Sequence, residues 1–294
     1  MYIIARMILG FGILFCIISG SSLIGELGYP KERATLTSLF NSSYFIGSIL
    51  AASIAIGTDS LKPNWNWRVP SLLQISPSLL QICTVFLLPE SPRWLVSQDR
   101  DDEAFAILTK YHGEGDPNSV IVQAEMAQIQ STIKLEMEHS KQSWLTMLGT
   151  AGMRRRVFIS AFLGLFTQMS GNTLLSYYTN TIYSMMGYTT YYAKTRINIA
   201  NQCWSFFNGT LIALFVTRFR RRVAFMTSSS SMLACFLAIT VAFQRLKVAE
   251  TAKTKNTSAS IAALVFYFAY SPCYAIGNNA LTYSKLRSYP TMSS

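Results

Sequence analysis

The chain has 294 residues, half of them apolar and only 13% charged, with a net charge of +11. Soluble domains carry roughly 25% charged residues, and here the missing charge is missing in blocks, which excludes an ordinary soluble domain. The excess of Lys and Arg sits in short loops, and its densest clusters, Arg154–Arg156 and Arg218–Arg222, lack the interleaved aromatics of base stacking, so nucleic acid is not an expected partner.

Charge-free stretches run over 7–25, 34–58, 69–89, 157–193, 197–217, 223–244 and 256–284. A helix needs about 20 residues to cross the hydrocarbon core, and one charge mid-membrane costs about 2.5–3.5 kcal/mol on insertion scales. The spacing predicts seven transmembrane helices over approximately 4–25, 36–57, 69–88, 157–186, 197–217, 223–244 and 259–284. The first span follows Met1 almost at once and serves as its own insertion signal. In the second, Gly47, Ala51 and Ala55 recur every four residues, a spacing that lets helices approach closely in lipid. Trp65 and Trp67 precede the third span at an expected membrane interface. Pro89-Glu-Ser-Pro-Arg-Trp-Leu95 closes it with a charged, proline-stiffened turn.

Residues 90–156 form an expected cytosolic loop. Ten of the fourteen acids lie between Glu90 and Glu138. A short helix is read over Asp99–Tyr111, a break over Gly113–Pro117, and an amphipathic helix from Val120 to Glu138 with Ile121, Ala124, Ile129, Ile133 and Met137 on its apolar face. His112 and His139 are expected to be solvated. The loop divides an N-terminal region of three spans, 1–89, from a C-terminal region of four, 157–294. With 90–156 in the cytosol, sixteen bases fall on the cytosolic side and nine on the other, as the positive-inside rule favours. The N-terminus is then outside and the C-terminus inside. Asn256-Thr-Ser258 becomes an external glycosylation acceptor.

The fourth stretch, 157–193, is too long for one helix, and its end, Gly187–Tyr192, reads as an aromatic interfacial segment. The last stretch is interrupted by Pro272 and Gly277. Cys16, Cys83, Cys203, Cys235 and Cys273 all fall in spans without metal-ligand spacing and read as small buried apolar residues. No metal site and no cofactor is implied. No nucleophile, base and orienting group recur together, so an enzyme is not expected.

The spans hold no interior acid, base or histidine. Their polarity is uncharged: Gln74 and Gln81 in the third; Gln168, Ser170, Asn172, Thr173, Tyr177, Tyr178 and Asn180 in the fourth; Asn198, Asn201, Gln202 and Asn208 in the fifth; Asn278 and Asn279 in the last. Amides and phenols offer paired donors and acceptors to a hydroxylated solute, and rings stack on its apolar faces. The partner this implies is a small neutral polar molecule. The same amides also serve as hydrogen bonds between helices.

Together these motifs resemble the sugar porters of the major facilitator superfamily, especially fungal hexose and lactose permeases, over residues 1 to about 284. Arg6–Gly12 is similar to the start of that family's fourth helix, Glu26–Arg33 to the turn after it, and Trp65-Asn-Trp-Arg68 to the start of the sixth. Pro89–Leu95 resembles the sixth-helix exit. Gln168-Met-Ser-Gly-Asn172 with Tyr177-Tyr178 resembles the seventh-helix sugar motif. Arg218–Arg222 resembles the loop after the eighth, and Gly277–Tyr283 the tenth of the fungal branch. The resemblance implies an all-α integral membrane protein, a partial major-facilitator fold with about seven transmembrane helices and a cytosolic helical loop.

It implies that Gln168, Asn172 and Thr173 touch the sugar, that Tyr177 and Tyr178 gate it, and that Gln74, Asn208, Asn278 and Asn279 are weaker candidates. Glu26, Arg33, Glu90, Arg93, Arg218, Arg221 and Arg222 would form an ion-pair latch on the cytosolic side. On this reading the family's first three helices and those after the tenth are absent, and the loss of pattern after Tyr283 suggests a truncated gene model. Thr217 and Arg220 stand where the family has an acid and a glycine. The expected function is transport of a hexose or disaccharide by alternating access in the plasma membrane, with protons as a further partner in a symporter. The alternatives are a non-transporting sensor or an inactive transporter remnant; a seven-helix receptor fits only the span count.

Overall fold

The structure is a computed structural model that describes residues 2–29, 31–60, 63–140, 149, 151–215, 220–252 and 256–279. Every regular element among the described residues is helical. Among the described residues two compact units emerge, one within 2–37 and 81–158, the other within 38–80 and 159–279.

In the first unit, α1 (Tyr2–Leu27) is apolar along its length and ends at Gly28, and α2 (Arg33–Asp59) begins five residues later. A Cβ on Gly28 would lie 2.7 Å from the Ile24 carbonyl oxygen and 3.0 Å from Leu36, so only glycine fits this turn. Farther along, α6 (Pro92–Ser97) is started by Ser91, whose hydroxyl accepts from the Trp94 N–H, with Pro92 at the first helical position, where a missing N–H is harmless. α7 (Asp101–His112) carries Asp101, Asp102 and Glu103 in its first turn and Lys110 and His112 in its last, the charge order its dipole favours. α8 (Val120–Ser140) packs on both. Their shared core is Leu95, Val96, Ala104, Leu108, Val122, Met126 and Ile133. The apolar face of α8 is rotated from the expected one. Val122, Met126, Ile129 and Ile133 face inward, whereas Ile121 and Met137 are exposed, because the seam is set by the small Ala104 and the Leu95 and Leu108 side chains rather than by α8 alone.

The second unit holds most of α2, together with α3 (Pro63–Asn66), α4 (Arg68–Leu73) and the start of α5 (Ile75–Val85). The stretch 69–88 is divided at Gln74 because Pro77 has no N–H for the Leu73 carbonyl and its ring crowds that oxygen. The Arg68 guanidinium sits 5.4 Å from the Trp67 ring and 6.0 Å from that of Trp65. The stretch 157–186 is divided too. α9 (Ala151–Met169) stops at Gly171, whose φ is +89°, and α10 (Asn172–Tyr177) and α11 (Thr179–Met185) follow.

α12 (Tyr191–Phe215) precedes the long α13 (Arg221–Thr251), which pairs with α14 (Thr257–Tyr274). The Asn256 side chain caps α14 by accepting from the Ala259 N–H. Pro272 interrupts α14, and a π-helical turn, Ala275–Asn279, follows. The Ser228 hydroxyl, fully buried on α13, donates to the Cys273 carbonyl at 2.7 Å. A Cβ on Gly277 would lie 2.6 Å from Ser228, so the close approach of α13 needs glycine there.

Among the described residues, four helices are long and apolar enough to cross a membrane: Ile3–Leu27, Arg33–Asp59, Arg222–Ala249 and Thr257–Gly277. Cys16, Cys83 and Cys203 are exposed rather than buried; only Cys235 is buried, 3.8 Å from the half-buried Cys273. The exposed three lie on apolar helix faces, and a thiol is apolar enough to sit in lipid.

Gly171 joins a left-handed backbone to a contact that admits no side chain, since a Cβ would lie 2.1 Å from the Phe236 ring. Gly171→Ala is expected to destabilise the second unit by at least about 1–3 kcal/mol from backbone strain alone. Thermal unfolding of the purified chain in detergent checks this; an unchanged midpoint would contradict the packing described.

Candidate functional site

A cleft of about 560 Å³ opens within the second unit. Its walls are polar stripes at helical spacing. α2 contributes Asn41, Tyr44 and Ser48; α12 contributes Asn198, Asn201, Gln202 and Ser205; α14 contributes Tyr267, Tyr270, Ser271 and Tyr274. Residues three, four and seven apart share one helix face, so each helix turns a polar strip to the cleft and apolar surface elsewhere. The broken segment α9–α11 adds Gln168, Asn172, Ser176, Thr179 and Asn180. No acidic or basic side chain is among the described residues that line it.

Contacts between helices hold the walls. Ser271 Oγ donates to Ser205 Oγ at 2.6 Å, joining α14 to α12, and Trp204 Nε1 donates to the Phe268 carbonyl at 3.1 Å. Tyr270 meets Phe236 edge-on at 5.2 Å and stacks on Tyr274 at 6.1 Å, while its hydroxyl donates to the Ser170 carbonyl at 3.4 Å. Tyr267 meets Tyr183 edge-on at 5.5 Å. The rings are thus fixed by packing. Asn201 Oδ1 is buried with no hydrogen-bond partner. A buried unsatisfied carbonyl is costly.

The residues named from sequence divide. Gln168 and Asn172 line this cleft. Thr173 donates to Gln168 Oε1 at 2.9 Å and so orients it. Thr173, Tyr177 and Tyr178 line a second, shallower hollow that also touches Gln168; Tyr177 is 83% and Tyr178 60% exposed. Asn208 does not line the cleft, and its Nδ2 donates to the Trp204 carbonyl at 2.8 Å. Gln74 is exposed at the break between α4 and α5. Asn278 and Asn279 stand in the π-helical turn after α14. Asn41, Tyr44, Ser48 and the α14 stripe are not among the residues named from sequence, although their spacing is readable; Asn198, Asn201 and Gln202 of α12 are noted there as interior polarity without a role.

Two of the named charged residues, Glu26 and Arg33, meet partners around the end of α1. Glu26 accepts from Ser22 at 3.2 Å and from Ser91, the cap of α6. Arg33 Nε donates to the Gly28 carbonyl at 2.9 Å, and its Nη2 pairs with Glu125 at 2.5 Å. Glu90 is exposed and Arg93 half-buried, and neither joins another of the named residues in an ion pair among the described residues. Arg218 lies outside the described residues; Arg221 and Arg222 open α13, with Arg222 exposed. His112, expected in solvent, is buried instead. Its Nδ1 contacts Glu125 and its Nε2 faces the Leu27 carbonyl at 3.0 Å. Burial of this histidine comes from its place at the last turn of α7, directly under the end of α1.

Asn201→Leu is expected to raise thermal stability by roughly 1–3 kcal/mol, because it removes the unsatisfied oxygen. Thermal unfolding without sugar measures this, and a clear fall would show that the amide is needed to hold the helices together.

Comparison with known proteins places the whole pattern. The sugar (and other) transporter family model matches residues 1–287. The chain is 27% identical over 278 residues to the galactose transporter of Saccharomyces cerevisiae, covering 93% of this chain and 47% of that one. It is 32% identical over 198 residues to the arabinose-proton symporter of Bacillus subtilis, covering 63% and 39%. The solved structure of the major facilitator superfamily proton:xylose symporter XylE, bound to 6-bromo-6-deoxy-D-glucose, superposes with a TM-score of 0.74 at 20% identity, over 90% of this chain and 52% of XylE. The chain therefore spans about half the length of the relatives it matches. It belongs to the sugar (and other) transporter family and is a multi-pass membrane protein with part of the major-facilitator fold.

Proposed function

We propose that the chain binds a neutral sugar in the cleft of its second unit and serves its transport across the plasma membrane by alternating access. The observation that carries this is a cleft walled by amides, hydroxyls and tyrosines with no charged side chain among the described residues lining it. Such walls match a polyhydroxyl solute hydroxyl by hydroxyl, without the desolvation cost that an ionic site imposes. The named relatives carry galactose, arabinose and xylose, which supports a monosaccharide. Sites of this kind lie near the bilayer midplane, between moving bodies.

In this reading Gln168 and Asn172 hydrogen-bond the sugar, and Thr173 keeps the Gln168 amide turned toward it. Tyr177 and Tyr178 close over it from the hollow beside Gln168, and Asn208, Asn278, Asn279 and Gln74 are secondary candidates for contact with the sugar. Glu26, Arg33, Glu90, Arg93, Arg218, Arg221 and Arg222 are the latch that biases the two states of the carrier. Protons are co-transported if the chain follows its two proton-coupled relatives.

The test is uptake of labelled galactose, xylose and glucose by a hexose-transporter-null yeast expressing the full chain, with binding to the purified chain measured in parallel. Gln168→Ala and Asn172→Ala are each expected to weaken sugar binding about tenfold or more, since a lost hydrogen bond costs about 0.5–1.5 kcal/mol and the partner left unpaired adds to it. Sugar-independent thermal stability and uptake equal to the empty vector would overturn the proposal.

A further inference from the structure

The end of α1 is closed by side chains from elsewhere in its unit. The last carbonyls of a helix have no partner within it and carry the negative end of its dipole. Here the Leu27 carbonyl faces Nε2 of His112, from the end of α7, and the Gly28 carbonyl takes Nε of Arg33, from the start of α2. Glu125 of α8 lies between the two. One of its oxygens takes the Arg33 guanidinium and the other meets Nδ1 of His112. The His112 side chain is only 1% exposed and that of Glu125 12%.

The ring has acceptors on both sides. A backbone carbonyl only accepts, and an ionised carboxylate only accepts. Both contacts are hydrogen bonds only when both ring nitrogens carry hydrogen, that is, when His112 is an imidazolium. A neutral ring has one N–H. It would leave a lone pair against either the Leu27 oxygen or the Glu125 carboxylate, in a place water does not reach. We propose that the α6–α8 bundle is held to the α1–α2 turn by a proton-dependent clamp, in which His112 binds the proton.

The other groups around the ring agree with this. From the turn, Tyr29 meets it edge-on at 6.0 Å, and from α1 Glu26 is tied to Ser91 at the start of α6. On α7 itself Lys110 lies over the Tyr111 ring. Arg33 is the nearest opposing cation, and Glu125 stands between it and the imidazolium. Protonation strengthens the attachment, so the clamp is closed at lower pH. It opens as pH rises and the imidazolium gives its proton to solvent. The clamp therefore responds to the pH of the compartment that bathes the bundle.

Backbone hydrogen exchange on the full chain in lipid nanodiscs tests this, with rates corrected for the intrinsic pH dependence of exchange. From about pH 5 to 8, protection of the amides at 27–33 and 104–112 is expected to fall tenfold or more in the wild type. Amides of the bundle core around Met126 should change little. His112→Leu is expected to show low protection at 27–33 with no pH slope. Glu125→Gln, which keeps the shape, is expected to flatten the slope. A wild type whose protection does not vary with pH, or a His112→Leu variant that keeps the wild-type slope, would overturn the proposal. Exchange is read without sugar, so failure here leaves the transport reading standing.

Discussion

Inside hydrocarbon, a peptide group that cannot find water must find its partner in its own helix. Most features of the second unit answer to that one demand. Its segments are helices, and where the sequence breaks a helix the freed group is met nearby. Pro272 has no N–H for the Phe268 carbonyl of α14, and Trp204 Nε1 of the neighbouring α12 donates to it. Hydroxyls within spans turn back on their own helices, as Ser53 does to Ile49 and Thr240 to Phe236. The amide and phenol chemistry suited to a polar solute is collected in this chain on polar strips of several helices that line one cleft.

The α6–α8 bundle of the first unit obeys other rules. It is held by caps, dipole-matched charges and a small aliphatic core, the devices of a helical bundle in water. The two solvents are legible side by side in one chain. Charge is absent for twenty residues at a time on one side of Pro89 and dense on the other.

How much of this the sequence discloses depends on whether a feature is local. Charge-free length shows where helices can span, and the motif between Pro89 and Leu95 shows the family, because both are read from neighbours in sequence. Pro77 and Gly171 were visible too, but length outweighed them in reading unbroken spans. Gln168 and Asn172 were legible because they cluster within five residues. Asn41 and Tyr270 were not, since their neighbours on the cleft are on other helices, and only the three- and four-residue spacing of each stripe hinted at them. His112 reads as solvated because it lies in the acidic 90–156 loop. Its burial follows from Leu27 and Glu125, one of them 85 residues away, and no local pattern carries that.

The polar strip of α12 has a consequence for how the chain is made. At 25 residues α12 is long enough to span, yet it is not among the four helices whose composition favours membrane passage. Asn198, Asn201, Gln202 and Ser205 lower its hydrophobicity on the face that lines the cleft. A segment of this kind partitions poorly from the translocon by itself. It is retained by helices synthesised after it: α13 and α14 form a paired hairpin, and Trp204 and Ser205 bond to α14. The order of biogenesis is therefore partly reversed here, with a solute-facing helix secured in the bilayer only once its successors have arrived.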